Sequence, residues 1–171
     1  MRVLNTVTEK KWFALYTKPR CEFKAKNQLD YINTQNYLPL CTRTARWSDR
    51  IKKIQEPLFR SYIFIFANEK ERLLSLEQSS IVKCICQCGR AACIPNWQIE
   101  NLQRIEENHL DFQSFNGLVT GKQVKIIGGP LKGLIGTVEK LGGRNLLVLS
   151  VDLLNRSILV HLSDQNIVNL I

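Results

Sequence analysis

Hydrophobic and polar positions change their spacing several times along the first 110 residues, and each change predicts a new element. Residues 12–17, Trp-Phe-Ala-Leu-Tyr-Thr, form an apolar run typical of a buried strand. Apolar side chains then recur at helical spacing from Cys21 to Ile32, after a proline that suits the start of a helix. Further patterns predict strands at 37–43, 51–56, 62–66 and 81–88 and helices after Asn68 and Pro95, with Asn68 and Glu71 as a capping box. This order predicts an α+β fold, with helices packed on an antiparallel or mixed sheet.

The last third of the chain contains only short strand patterns, at 123–127, 135–141, 145–152, 157–162 and 167–170. Five short strands in so few residues predict a small SH3-like β-barrel. Residues 109–118 lack a clear period. We therefore expect a tail over 1–10, an α+β domain over 11–109, a linker over 110–118 and a barrel domain over 119–171.

Glycines in this last third fall at positions where a tight barrel has no room for a side chain. Their spacing resembles the KOW motif of ribosomal proteins and NusG-type transcription factors. The alternative is any small barrel with glycine corners. The run Leu146–Leu154 also has fair helix propensity, so a helical form of this region stays open. The motif positions are Gly121, Val124, Gly128, Gly133 and Gly136.

Charge is concentrated in one part of the chain. The net charge is +9, and the segment 10–60 has twelve Lys or Arg against four acidic residues. A focused basic surface attracts phosphate backbones or an acidic protein face, whereas charge that serves solubility alone would be scattered.

Several functional classes have little support in the sequence. Only two histidines, His109 and His161, are present, without a paired carboxylate motif or a phosphate loop, so we expect a protein that is not an enzyme and has no cofactor. Cys84, Cys86 and Cys88 alternate as on one face of a strand, which is not the spacing of a zinc site, and we predict no metal. No apolar run is long enough to span a bilayer and no signal peptide is recognisable, so we expect a cytoplasmic protein.

Two segments of the first domain carry a more specific signal. They are Trp12-Phe-Ala-Leu-Tyr-Thr-Lys-Pro-Arg20 and Glu56-Pro-Leu-Phe-Arg-Ser-Tyr-Ile-Phe64. Both resemble the amino-terminal domain of the NusG/RfaH family of transcription elongation factors, and with the KOW-like region the resemblance covers residues 11–171. The details look similar to the specialised antiterminators of capsular polysaccharide loci.

The resemblance implies a protein that binds the clamp helices of RNA polymerase and suppresses pausing and termination at long operons. Tyr16 and Phe59, with Leu58, match positions that form an apolar pocket for the clamp helices in the family; the alternative is that both aromatic side chains lie in the core. Arg72 and Leu73 lie near the family's contact with the far side of the DNA channel. The KOW domain would recruit ribosomal protein or termination factor.

The resemblance also implies contacts with nucleic acid, either the non-template DNA strand or nascent RNA. Lys18 and Arg20 follow the first strand, where the family carries basic residues, and Ser79 and Ser80 match further contact positions. Trp47 lies at the tip of a basic hairpin and could stack on a base, or the tip could simply be solvated.

A second reading is an RNA-binding or ribosome-associated KOW protein without a polymerase role. The basic charge fits both readings. The paired segments of the first domain favour the polymerase factor, since plain ribosomal KOW proteins lack that domain.

Overall fold

The structure is a computed structural model that describes residues 9–46, 51–107, 112–116, 121, 123–129, 131–141, 144–161 and 168–170. The chain divides into two compact units, residues 1–94 and 95–171. None of the helices within the described ranges is both long and apolar enough to cross a bilayer.

The described part of the first unit contains the two predicted helices and more strands than predicted, since the predicted strand over 37–43 divides at Leu38 and Pro39 into two. The elements are β1 (Lys11–Thr17), α1 (Glu22–Tyr31), β2 (Asn36–Tyr37), β3 (Leu40–Arg46), β4 (Ile51–Pro57), β5 (Tyr62–Ala67), α2 (Glu69–Leu76), β6 (Ile81–Cys84), β7 (Cys86–Gln87), β8 (Arg90–Ala91) and β9 (Cys93–Ile94).

One antiparallel sheet organises this unit, with strand order β2-β5-β1-β6 and with β9 also paired to β1. Strands β3 and β4 form a separate antiparallel pair, as do β7 and β8. The long basic hairpin is therefore confirmed, although its tip, residues 47–50 with Trp47, lies outside the described residues.

The core of the first unit lies between one face of this sheet and the two helices. Alternate residues of β1 and β5 pack against α1, because strand side chains point to opposite faces in turn. The buried cluster comprises Phe13, Leu15, Ala25, Leu29, Leu38, Ile63, Ile65, Ala67, Ile81 and Cys84, with Leu76 of α2 packed against it. The predicted capping box of α2 is confirmed: Glu71 N–H donates to Asn68 Oδ1 at 2.9 Å, and Asn68 N–H donates to Glu71 Oε2 at 3.0 Å.

In its described residues, the second unit combines one α-helix with a six-stranded antiparallel sheet. Its described elements are α3 (Asn96–Glu107), β10 (Phe112–Asn116), β11 (Gln123–Ile126), β12 (Ile135–Leu141), β13 (Arg144–Val151), a 3₁₀ turn (Asp152–Leu154), β14 (Arg156–His161) and β15 (Val168–Leu170). The strand order is β10-β14-β13-β12-β11-β15. Strands β10 and β15 end this order, and closure into a barrel stays a prediction.

Strand β12 passes very close to β13 at one glycine. A Cβ added to Gly136 would lie 2.5 Å from the Val148 carbonyl oxygen, so no larger residue fits there without a shift of the backbone. The run Leu146–Leu154, for which a helical form was the alternative, belongs to strand β13 as far as Val151. Strand β13 is paired with a neighbouring strand on both sides. Of the other motif positions, Val124 is buried, Gly128 is half-buried and Gly121 is exposed.

The structure differs from the sequence predictions at two places near the middle of the chain. Strand β10 lies inside the segment 110–118 that was predicted to be a linker, and it pairs with β14 from Phe112 to Asn116. Helix α3, assigned by sequence to the first domain, packs on β12 and β13 of the second unit. Its apolar residues Ile99, Leu102 and Ile105 are buried.

The predicted strand over 81–88 is interrupted. Strand β6 ends at Cys84, and Cys88 lies in a tight turn with φ 51° between β7 and β8. Cys84 is buried, and burial raises the pKa of its thiol, whereas Cys86 and Cys88 are exposed. The expectation of three thiols on one face of a strand is therefore wrong, because β6 ends at Cys84 and Cys88 lies in the turn between β7 and β8.

Candidate macromolecular interface

The second face of the first-unit sheet is lined by aromatic side chains. The register opposes Trp12 to Phe66 and Tyr16 to Tyr62, on the face that points away from α1. The ring centroids are 5.3 Å apart in the first pair and 5.4 Å apart in the second, which is an edge-to-face contact. Tyr16 and Tyr62 are both half-buried. Aromatic pairs of this kind offer a large contact area with few rotatable bonds.

Phe59 occupies a different environment from the one predicted. Its side chain is 3% exposed and contacts the Phe64 ring edge-to-face, with centroids 6.1 Å apart. The chain folds back on itself here, since Tyr62 N–H donates to the Phe59 carbonyl at 3.2 Å and Leu58 N–H donates to the Pro39 carbonyl at 2.8 Å. Of the two alternatives given for Phe59, this burial favours a core side chain over a pocket for the clamp helices, whereas Leu58 beside it is half-buried.

Tyr62 is the residue that the sequence analysis missed at this surface. It is the register partner of Tyr16 and lies at the start of β5. The signal was present in the strand pattern, because Tyr62, Phe64 and Phe66 alternate with aliphatic residues. Only the antiparallel register shows which of these aromatics stands beside Tyr16.

The predicted nucleic-acid residues Lys18 and Arg20 lie in an exposed loop after β1. The Lys18 N–H donates to the Ser80 carbonyl at 2.9 Å, which joins this loop to the turn before β6. Arg20 has φ 60°, a left-handed conformation uncommon for a residue with a side chain. The loop is thus held at the end of the sheet by backbone contacts, with both basic side chains at the surface.

The two predicted serine contacts divide between surface and interior. Ser79 is exposed, and its Oγ accepts a hydrogen bond from Gln28 Nε2 at 2.8 Å. Ser80 is 2% exposed, and its N–H donates to Gln28 Oε1 at 3.1 Å. Burial contradicts the predicted side-chain contact of Ser80 with nucleic acid, whereas Ser79 remains accessible.

A buried carboxylate fixes the neighbouring turn. Glu22 is 5% exposed, and its Oε1 accepts a hydrogen bond from the Ser61 N–H at 2.7 Å. Ser61 has φ 63°, and its carbonyl accepts the Thr17 N–H at 2.9 Å. The same turn contains the exposed Arg60, whose Nη2 lies 3.7 Å from Glu56 Oε2. Arg60 therefore lies at the same end of the sheet as Lys18.

Helix α2 presents the other predicted polymerase contacts. Leu73 is 50% exposed, with Leu74 beside it also at the surface. Arg72 instead lies mainly against the protein: its Nε donates to Glu69 Oε2 at 2.9 Å and its guanidinium lies 6.0 Å from the Phe13 ring centroid. The hydrogen bond with Glu69 raises the pKa of Arg72. This geometry favours a packing role for Arg72 and a surface role for Leu73.

The described residues contain no group of three or more His, Cys, Asp or Glu side chains placed to hold a metal ion. The candidate interface is made of aromatic and basic groups on the first unit, and such groups are suited to binding macromolecules.

Comparisons with known proteins agree with this reading of the fold. The family model described as NusG, transcription termination factor nusG, matches residues 10–103. A solved structure on domain interaction in Thermotoga maritima NusG is similar over 91% of this chain and 95% of that chain, with 15% identity and a TM-score of 0.51. The likeness at this identity concerns the fold alone.

Two structures of the MjSpt4:Spt5 complex are also similar, at lower scores. Conformation B has 13% identity, covers 90% of this chain and 99% of that chain, and has a TM-score of 0.29. Conformation A has 14% identity, coverages of 94% and 97%, and a TM-score of 0.28. No curated protein matches the sequence.

Proposed function

The chain belongs to the NusG family of transcription factors, and from that membership we propose that it is an elongation and antitermination factor that binds RNA polymerase. The observation that carries the proposal is the family match over residues 10–103. This matched segment is the part that plain ribosomal KOW proteins lack, so it favours the polymerase role over a purely RNA-binding or ribosome-associated one. Members of the family act by binding, not by catalysis.

The proposed polymerase contact is the aromatic sheet face around Tyr16 and Tyr62, which would take the clamp helices. Half-buried tyrosines with fixed ring positions are suited to anchor a helix, because little side-chain entropy is lost on binding. Exposed Leu73 on α2 is proposed as the second contact, toward the far side of the DNA channel. A protein that bridges both sides would restrain the clamp and thereby suppress pausing and termination.

The proposed nucleic-acid contact is the basic end of the sheet, with Lys18, Arg20 and Arg60. Lysine and arginine position a protein on phosphates without reading the sequence. Ser79 extends this surface on the neighbouring turn, to which the Lys18 backbone is hydrogen-bonded through Ser80. The non-template DNA strand is the proposed ligand, and nascent RNA is the alternative.

The second unit is proposed to be a KOW-type barrel that recruits a ribosomal protein or termination factor. Its short antiparallel strands and the close approach at Gly136 support this assignment. We further propose that the protein acts at long operons, such as those for polysaccharide biosynthesis, because the two first-domain segments resemble specialised antiterminators.

The proposal is tested by capture of core RNA polymerase with the full-length protein and two tyrosine variants. Tyr16→Ala should weaken binding by about 1–3 kcal/mol, since it removes an aromatic anchor. Tyr31→Ala is the matched control, because Tyr31 is 87% exposed and lies on α1, which covers the opposite face of the sheet.

Two outcomes would contradict the proposal at different levels. If a folded Tyr16→Ala variant binds polymerase as the wild type does, the aromatic face is not the site that binds the clamp helices. The wild-type protein should bind polymerase and increase read-through of a terminator in transcription with purified components. If it does neither, the proposed elongation function is wrong and the ribosome-associated alternative is favoured.

A further inference from the structure

Two cysteines lie side by side at one edge of the first-unit sheet. Strand β5 pairs with one edge of β1, and the short strands β6 and β9 share the other edge. In β6 Cys84 is opposite Leu15, and in β9 Cys93 is opposite Phe13. Strands β7 and β8 connect the two and pair with each other, so the cysteines flank the base of a hairpin of residues 85–92.

The backbone of the 85–92 hairpin sets these two cysteines opposite each other. At its base, the Ala92 N–H donates to the Ile85 carbonyl at 3.0 Å. The next positions outward on the two arms are Cys84 and Cys93. The register across the hairpin and the register along β1 therefore agree that the two residues are neighbours.

Both registers bring the two Cα atoms within the span of a disulfide. Opposed residues of an antiparallel pair lie about 4.5–5.5 Å apart, and two steps along β1, from Phe13 to Leu15, cover about 6.8 Å. A disulfide joins Cα atoms about 4.4–6.8 Å apart. The side chains also point to the same face, because the partners Phe13 and Leu15 both belong to the buried cluster.

The two thiols differ in their access to solvent. Cys93 is exposed and lines a cleft of about 500 Å³, together with Phe13 and Arg72. Cys84 is buried, and burial raises the pKa of its thiol, while the neighbouring Arg72 guanidinium opposes that shift. A dissolved oxidant therefore meets Cys93 first, since oxidation of cysteine follows exposure of the thiol.

The other two thiols of the hairpin are less well placed. Cys86 is opposite Ala91, so Cys93 is its diagonal neighbour, and diagonal neighbours lie about 7–8 Å apart, beyond the span of a disulfide. The Cys86 Sγ donates instead to the Cys84 carbonyl at 3.5 Å. Cys88 lies in the turn at the far end of the hairpin, with φ 51°. The geometry thus favours the pair at the base.

We infer that Cys93 and Cys84 form an oxidation site for peroxide, in which Cys93 reacts first and Cys84 then closes a disulfide across the base of the hairpin. The Cys93 thiolate attacks one oxygen of hydrogen peroxide, an S–O bond forms, the O–O bond breaks, and the departing hydroxide takes up a proton to become water. The Cys84 sulfur then attacks the oxidised Cys93 sulfur. An S–S bond forms, the S–O bond breaks, and the departing hydroxide leaves as water with the Cys84 proton.

In this sequence two thiols give two electrons to one peroxide, and a dithiol reductant reverses the step by thiol–disulfide exchange. The fold already holds the two segments together, so the bond forms without unfolding. Disulfides of cytosolic proteins are usually transient and redox-sensing, and a bond that closes at a sheet edge beside an open cleft fits that class. The inference does not depend on polymerase binding.

The test treats the reduced full-length protein with hydrogen peroxide, blocks the remaining thiols with N-ethylmaleimide and maps disulfides by mass spectrometry after digestion with trypsin. Cleavage after Lys83 and Arg90 places Cys84 and Cys93 in different peptides. The expected product is peptide 84–90 joined to peptide 91–104, and dithiothreitol should separate the two.

Substitutions identify which thiols are joined. Cys84→Ser and Cys93→Ser should each abolish the cross-link, and Cys84→Ser should leave a sulfenic acid on Cys93 that dimedone traps. Cys93→Ser changes an exposed position, so it decides the question even if Cys84→Ser fails to fold. The matched control is Cys86→Ser combined with Cys88→Ser, which removes the two other thiols of peptide 84–90 and should keep the cross-link.

Three results would overturn the inference. The first is that peroxide produces no cross-link between the two peptides. The second is that the cross-link persists in Cys84→Ser or Cys93→Ser. The third is its loss in the control double variant, which would assign the bond to Cys86 or Cys88.

Discussion

The carboxylate of Glu22 accepts a hydrogen bond from the Ser61 backbone N–H at 2.7 Å, across 39 positions of sequence. The bond joins the first turn of α1 to the turn that precedes β5. Because Thr17 N–H donates to the Ser61 carbonyl, the same turn is also tied to the end of β1. The end of β1, before Lys18, and the turn that contains Arg60 both carry proposed contacts and thus depend on one buried acidic side chain of α1.

Glu22→Ala should lower the free energy of unfolding by about 1–3 kcal/mol, because the partly buried Ser61 N–H would lose its acceptor. Glu22→Gln keeps an acceptor oxygen and should cost less. Urea denaturation of both variants measures the difference. If the two were equally stable, the hydrogen bond would not be what holds the turn.

Phe59→Ala should destabilise the first unit by about 3–5 kcal/mol, because it leaves a cavity beside Phe64. Leu73→Ala is the control, since half of the Leu73 side chain is exposed and its loss should change stability by about 0.5 kcal/mol or less. Thermal unfolding separates the two. A Phe59→Ala protein of wild-type stability that binds polymerase weakly would restore Phe59 to the interface.

Removing the charges of Lys18 and Arg20 together should reduce the salt dependence of nucleic-acid affinity by roughly one to two released counterions. Both side chains are exposed, so the substitutions should not affect folding. Lys26→Ala together with Lys70→Ala removes the same charge from the two helices and serves as the comparison. If the two double variants show the same dependence of nucleic-acid affinity on salt concentration, the loop with Lys18 and Arg20 is not part of the nucleic-acid surface.

The Lys10–Glu71 ion pair should make stability depend on pH in the acidic range. Lys10 Nζ lies 2.7 Å from Glu71 Oε1, and this hydrogen bond is the main reason that the pKa of Glu71 lies below its usual 4.5. A lowered folded-state pKa stabilises the protein above the usual value, and the contribution is lost as pH falls through the folded-state value. Lys10→Gln should therefore reduce the loss of stability below about pH 5, measured by urea denaturation at several pH values, whereas Lys70→Gln should not.

Asn101→Ala should weaken the attachment of α3 to β12 by about 2–4 kcal/mol, because it removes two hydrogen bonds to Ile135. Faster hydrogen exchange at the Ile135 amide would report the loss directly. Glu100→Ala, at an exposed position of the same helix, is the control. Unchanged exchange in Asn101→Ala would show that packing of the apolar side chains alone holds the helix.

Local patterns alone determined much of this protein. The apolar run of β1, the helical stripe of α1 and the Asn68–Glu71 capping box depend on residues close in sequence, so each could be recognised without a partner. The five short carboxy-terminal strands followed from the same alternation. The two motif segments within residues 11–64 pointed to the family that the match over 10–103 shows.

Tertiary structure decided the properties that depend on residues distant in sequence. The sequence of residues 109–118 has no clear period, and pairing with β14 makes Phe112–Asn116 a strand. Phe59 and Ser80 are buried because their turns fold back on the sheet, which no spacing rule reveals. Helix α3 belongs to the second unit because Asn101 is hydrogen-bonded to that unit's sheet. Its apolar stripe alone is equally compatible with packing on the sheet of the first unit. The periodicity of a segment determines which face it buries, and long-range pairing determines what that face meets.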